Sequence, residues 1–349
     1  MAKSLKGTTK TEAYVAEEPA VDIIIRGSAA SKMKMTHVIN EMCKSEAGYM
    51  ILETAADMGY ELKFDKQAAK EGLYGYADPC EECCVLNPQN TLAQNIVTLA
   101  HELRHAYQFT YEKLDDLAYS ENDTKTMLLK NRTMEADAES YGCRVAWELK
   151  EQGNDLCWQD FSKDFPEIAQ PFEKTLIETG DVNQARTAAF KGWYDNAERR
   201  DSYDQSVVAS IESIAPEVFK KKLKSVSAAK FVNAYCCDPE TGENYFTEDA
   251  KILETGKYTA LYEDMKDRIA AHHQKREALP GRIPDKTIAG IETQKRPTPE
   301  TGNNARAVSA KAKETALAAR QKRAANQIRR QKKPDMTTAA LLQKKYNGR

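Results

Sequence analysis

Two histidines four residues apart, with a glutamate directly after the first, are the part of this 349-residue chain whose types and spacing could do chemistry: His101, Glu102 and His105 in VTLAHELRHAYQ. On a helix that separation is about one turn, so both imidazoles can offer a nitrogen to one ion. Glu102 is rotated off their line and can reach a water in the ion's remaining position. Zinc suits such a set. It lowers the pKa of its water towards ~7 and polarises a scissile carbonyl, while the carboxylate takes the water's proton and passes it to the leaving amine. The competing reading is a pair of solvated histidines on a charged helix, in a chain with 53 acidic and 51 basic residues but only five histidines.

A third ligand is required. The pattern HExxHxxGxxH would supply another histidine, but Gln108 and Tyr111 stand where its Gly and His belong. A later helix offers carboxylates instead. In NRTMEADAESYGCRVAWEL, Glu135 and Glu139 lie one turn apart beside an apolar stripe of Met134, Ala138, Tyr141 and Val145. Glu135 is read as the ligand and Glu139 as the acceptor that fixes the tautomer of a ligating histidine; the reverse assignment stays open. A donor for the oxyanion is sought in GWYDNAERRDSYD, where Tyr194, Tyr203, Arg199 and Arg200 are candidates and Tyr194 is the choice. The alternative is that Trp193 and Tyr194 pack while the arginines are solvated.

The elements that must position these groups are mostly helical. Met35, Val38, Ile39 and Met42 share one stripe, and Met50, Ile51, Thr54 and Met58 a second that Gly59 closes. Between Tyr60 and Pro88 the period shortens to alternation, which predicts a small sheet. A helix is expected from about Thr91 to Tyr111, with Ile96, Leu99, Ala100, Leu103 and Tyr107 inward, and another from Glu135 to Gln152, ended at Gly153. From Phe161 to His273 the signals are again helical, broken by CDPETGEN.

HELRH followed some thirty residues later by EADAE resembles the gluzincin zinc metallopeptidases, with Glu139 in place of the Asp common there. More narrowly, Ser45 to Leu149 together with FKGWYDNAERRDSYD is similar to a bacterial family of metallopeptidases whose substrate is undetermined. The resemblance implies an α+β, mostly helical chain with a minimal zincin-like core: a small sheet, an HExxH helix and a Glu-bearing helix, followed by additional C-terminal helices. It implies one catalytic Zn²⁺ on His101, His105 and Glu135, Glu102 as general base, and a peptide or protein substrate. The organisation expected is a flexible N-terminus over 1–27, a metallopeptidase domain over 28–275 with its core at 45–153 and a helical extension at 154–275, and a basic tail over 276–349.

Charge and cysteines bound the rest. Residues 291–349 hold fifteen Lys or Arg against four Asp or Glu, so a tail of +11 is attached to a body of −13. Such a tail could contact nucleic acid or an acidic protein, although Tyr346 is its only aromatic. A non-catalytic zincin-like regulator that binds partners through this tail is therefore the alternative function. The chain has no run of eighteen apolar residues and no export signal, which points away from a membrane and towards a reducing cytoplasm. CEECC (Cys80, Cys83, Cys84) with Cys236 and Cys237 could in principle form a four-thiolate zinc site, but adjacent cysteines are strained partners and isolated thiols are expected. His37, His272 and His273 are read as ordinary.

Overall fold

The computed structural model describes residues 18–111, 117–239 and 241–297. β1 (Ile24–Arg26) leads into α1 (Ala29–Met42) and α2 (Glu46–Asp57), then β2 (Glu61–Phe64), α3 (Lys66–Lys70), β3 (Gly75–Asp78) and β4 (Cys83–Leu86). The sheet order is β1-β2-β4-β3, parallel except for β3, which runs antiparallel to β4 and forms one edge. All of β4 is buried, as a strand covered on both faces must be, whereas β3 alternates. Ser28 and Ser45 cap α1 and α2 by accepting from the backbone N–H groups of Ser31 and Gly48. The α1 stripe is buried as expected. That of α2 lies further round, through Ala47, Ile51, Leu52 and Ala55.

The next two helices carry the candidate chemistry. α4 (Leu92–Thr110) opens with a capping box between Thr91 and Gln94 and buries Ile96, Leu99, Ala100, Leu103 and Tyr107. α5 (Thr124–Glu151) is capped by Asp123 and begins well before the expected Glu135. Its early turns are buried on more than one side, so they show no single apolar stripe to mark a start. Gly59 and Gly153 terminate α2 and α5 as expected, with φ of +77° and +85°.

α6 (Leu156–Asp164), α7 (Pro166–Thr179), α8 (Val182–Trp193), α9 (Ala197–Glu212) and α10 (Ala228–Tyr235) follow. Then come β5 (Leu261–Tyr262), α11 (Glu263–Glu277) and β6 (Thr293–Gln294), with β5 and β6 paired in parallel. The architecture is α+β, mostly helical, with small sheets. Met127 and Leu128 of α5 pack with Val207, Ile211 and Met265, while Tyr141, Val145 and Leu149 of the same helix join the main core. Helices from the expected core and from the expected extension therefore share α5 as a common wall.

Packed residues also lie on either side of 28–275. Val21 and Ile23 are buried and β1 (Ile24–Arg26) forms the sheet edge opposite β3, although 1–27 reads as flexible. A three-residue strand is too short to declare a period. At the other end, Ile288 and Ile291 pack into the second cluster, and Arg296 pairs with Asp201 and Asp264. The rest of the basic tail, from 298, lies outside the described residues. Among the described residues no helix is long and apolar enough to cross a membrane.

Candidate metal centre

α4 and α5 pack so that His101, His105 and Glu135 converge, with one ligand atom from each lying within 4.8 Å of the others. The two Nε2 atoms are 3.1 Å apart. Glu135 Oε2 is 3.7 Å from that of His101 and 3.5 Å from that of His105. Bonds of ~2.0–2.1 Å around a tetrahedral zinc ion put neighbouring ligand atoms roughly 3.3 Å apart. The three distances fit that edge length, and two imidazoles with one carboxylate are donors zinc accepts.

Tautomers decide whether the lone pairs point inward, and both histidines are fixed. Nδ1 of His101 lies 3.2 Å from Glu139 Oε2, so a proton there is held by the carboxylate and Nε2 is left as the inward donor. Nδ1 of His105 lies 2.8 Å from Gln108 Oε1. The Gln108 amide cannot flip, because its Nε2 donates both to Asp137 Oδ2 at 2.6 Å and to the Met134 carbonyl at 3.0 Å. Its oxygen must then face His105, which must donate from Nδ1. Burial opposes a charged His101, but Glu139, Glu135 and Glu102 outweigh it and push its pKa well above the ordinary range, so a metal binding there would displace the Nε2 proton. Burial likewise opposes ionisation of Glu135, and His105 with His101 reverses this, holding its carboxyl far below the usual range.

Asp137, midway between the two site glutamates, anchors this arrangement. Arg104 of α4 grips both its oxygens, at 2.6 and 3.1 Å, and Tyr245 donates to it at 2.8 Å. Arg186 of α8 lies 3.5 Å away, stacked on the Tyr245 ring, and Asp137, Arg104 and Arg186 are all fully buried. Arg104 also donates to the carbonyls of Tyr235 and Cys237, both at 2.6 Å. Sequence reading missed Gln108, Asp137 and Arg104. The signal was present: Arg104 and Asp137 are opposite charges placed inside apolar stripes, Arg104 between Ala100 and Tyr107 and Asp137 between Met134 and Tyr141.

Glu102 is nearly buried, and its Oε2 accepts from the Ala77 N–H at 2.8 Å. That amide belongs to the edge strand and points away from β4, so β3 orients the glutamate. The approach depends on Gly75, where a Cβ would lie 2.7 Å from Thr98 Cγ2 of α4 and 2.8 Å from the Val85 carbonyl. Gly75→Ala is expected to push β3 off α4, costing about 1–3 kcal/mol of stability and lowering any turnover while bound metal is retained. Thermal melts with metal analysis on the same sample check this.

A cleft opens onto the three groups. Glu102, Glu139, Arg199 and Tyr203 line it, and Tyr194 does not. Tyr194 is fully buried against Phe190 and Tyr258, so the choice of Tyr194 over Tyr203 is corrected. Tyr194 caps the end of α8 whereas Tyr203 lies on α9, so which phenol reaches the cleft depends on how the two helices pack and not on spacing along the chain. Arg200 is buried and donates to the Tyr194 carbonyl. Burial first, then Glu135, Glu139 and Glu102, pushes the Tyr203 phenol well above its ordinary range, which keeps it a donor.

The other metal and histidine readings resolve simply. CEECC spans the β3–β4 turn and the first two residues of β4, with Asp78 accepting from the backbone N–H groups of Cys80 and Glu81. All eight cysteines are free thiols. Among the described residues the only cluster that could hold a metal is His101, His105 and Glu135, so the four-thiolate site does not form. His273 bonds Thr124 at 2.9 Å and lies 3.3 Å from Asp285, His272 packs on Phe219, and His37 is exposed on α1.

No curated protein and no solved structure matches the chain. The model of one protein family, described as "Putative metallopeptidase family (DUF6782)", matches residues 16–246. That span begins before β1, includes both helices of the metal cluster, and ends one residue beyond Tyr245, the phenol that bonds Asp137. It covers well over half of the sequence, and the chain belongs to this family.

Proposed function

We propose that the protein is a zinc-dependent peptidase in which His101, His105 and Glu135 hold the ion and Glu102 is the general base. The observation that carries this reading is the convergence of the three ligand atoms beside a glutamate that contributes nothing to the ligand set. A purely structural zinc has no use for such a carboxylate. Bound there, zinc would supply a Lewis acid and bring the pKa of a water towards ~7.

The remaining steps belong to side chains of the chain. Glu102 has one oxygen fixed by the Ala77 amide, which leaves the other to take a proton from the attacking water and deliver it to the leaving nitrogen. Tyr203, kept protonated by the acidic surroundings, is assigned as the donor to the oxyanion in place of Tyr194. Glu139 and Gln108 hold the imidazoles against rotation while charge develops nearby.

Metal analysis of the purified protein tests the ligand set. About one zinc per chain is expected, reduced to a small fraction in Glu135→Ala; stoichiometric zinc in that variant would remove Glu135 from the site. For the oxyanion role, Tyr203→Phe should lower kcat by roughly 10²-fold with KM little changed. Equal kcat in the two proteins would return Tyr203 to a packing role.

A further inference from the structure

The cleft does not end at the metal cluster. It runs back along α4 through Val97 to Gln94, seven residues before His101 and so roughly 10 Å away at ~1.5 Å per residue. The opposite wall there is α6, which presents Asp160, Phe161, Asp164 and the adjoining Phe165 to the cleft. Those positions, spaced one, four and five apart, form one face of a helix. Phe161 is buried, Asp160 half-buried and Asp164 exposed, so the face grades from an apolar floor to an acidic rim.

Charge at this end is uncompensated. Asp160 and Asp164 have no ion-pair partner among the described residues. Lys163 between them is exposed and lies outside the cleft lining. Arg199 is the one Lys or Arg among the lining residues; its Nη2 pairs with Glu167 at 2.6 Å and its guanidinium lies over the Phe165 ring at 4.7 Å, while Nη1 has no hydrogen-bond partner. Burial, then Asp164 and Asp160, pushes the phenol of Tyr74 on the facing wall upward, so their field reaches across the gap.

Resting on the peptidase reading, we propose that the α6 end of the cleft is a specificity pocket for a lysine or arginine side chain of the substrate. The aliphatic stem of such a residue fits between Val97 and Phe161, and its cationic head meets Asp160 and Asp164 at the mouth, where it keeps part of its hydration. An acidic side chain would meet two carboxylates of its own sign at this end. A neutral aliphatic one would fill the floor and leave the rim unused. The separation from His101 is short enough for the residue to adjoin the scissile bond.

The test separates binding from turnover. Full-length Glu102→Gln protein loaded with zinc is titrated with fluorescent blocked octapeptides that differ only in whether the central pair of positions holds Lys, Leu or Glu. The Lys peptide is expected to bind roughly tenfold or more tightly than the Glu peptide, more weakly so at high salt. Asp160→Asn with Asp164→Asn should erase the difference, and Asp160→Lys with Asp164→Lys should reverse it. Asp164 is exposed and Asp160 half-buried, and circular dichroism verifies folding. Equal affinity for the three peptides, or a Lys preference that survives the double Asn variant, overturns the pocket. Cleavage by wild-type protein is scored separately. Aspartate-dependent Lys binding without cleavage sinks the peptidase reading and keeps the pocket, whereas cleavage indifferent to charge does the opposite.

Discussion

Glu102→Gln should retain a full complement of zinc and lose peptide hydrolysis by roughly 10²–10⁴-fold, the range over which a positioned general base acts. The amide preserves the shape of the side chain, and its oxygen can still accept from the Ala77 N–H. What it removes is the ability to take a proton. Since Glu102 is absent from the converging ligand atoms, metal content should not follow activity down. Measuring both on one preparation is therefore decisive. Zinc lost together with activity would make Glu102 a ligand, and activity retained without the carboxylate would leave the metal cluster a structural or regulatory feature.

Asp137→Asn is expected to damage both the fold and the metal site, though Asp137 touches neither ligand histidine. Arg104 and Arg186 are fully buried and share this carboxylate as a counter-charge. Breaking a buried pair from one side costs about 3–5 kcal/mol, because the remaining charge is stranded without solvent. The same substitution releases Gln108, whose amide then no longer dictates the His105 tautomer. Zinc affinity should fall by about 10–100-fold, as when other partners of ligating histidines are lost. Denaturant melts and competition against a chelator give the two readouts. Gln108→Met separates them: it leaves the Arg104–Asp137 pair intact, so affinity should fall by a similar factor with a smaller loss of stability. Unchanged affinity in Gln108→Met would show that the amide does not hold the ring.

The candidate ligands were legible because their spacing is local. His101 and His105 are placed by one helical turn, and Glu135 and Glu139 by another, so short-range spacing already puts each pair on a common face. The apolar stripe of α4 was legible for the same reason. Where burial surrounds an element, as in the first turns of α5, or where an element spans three residues, as in β1, no period exists to be read and the boundaries shifted.

What the sequence by itself determined, then, is a mostly helical chain with two pairs of candidate ligands, each fixed by covalent spacing along its own helix. Only tertiary packing decided the rest: α4 against α5 brings these pairs together, β3 orients Glu102, and the placement of α8 and α9 turns Tyr203 rather than Tyr194 to the cleft. The Gln108–Asp137–Arg104 array was decided at the same level, since it joins residues 29 and 33 positions apart in the chain. Helical periodicity fixes directions within one element. Which neighbour fills each direction depends on how whole apolar faces are covered, and that is a property of the assembled core.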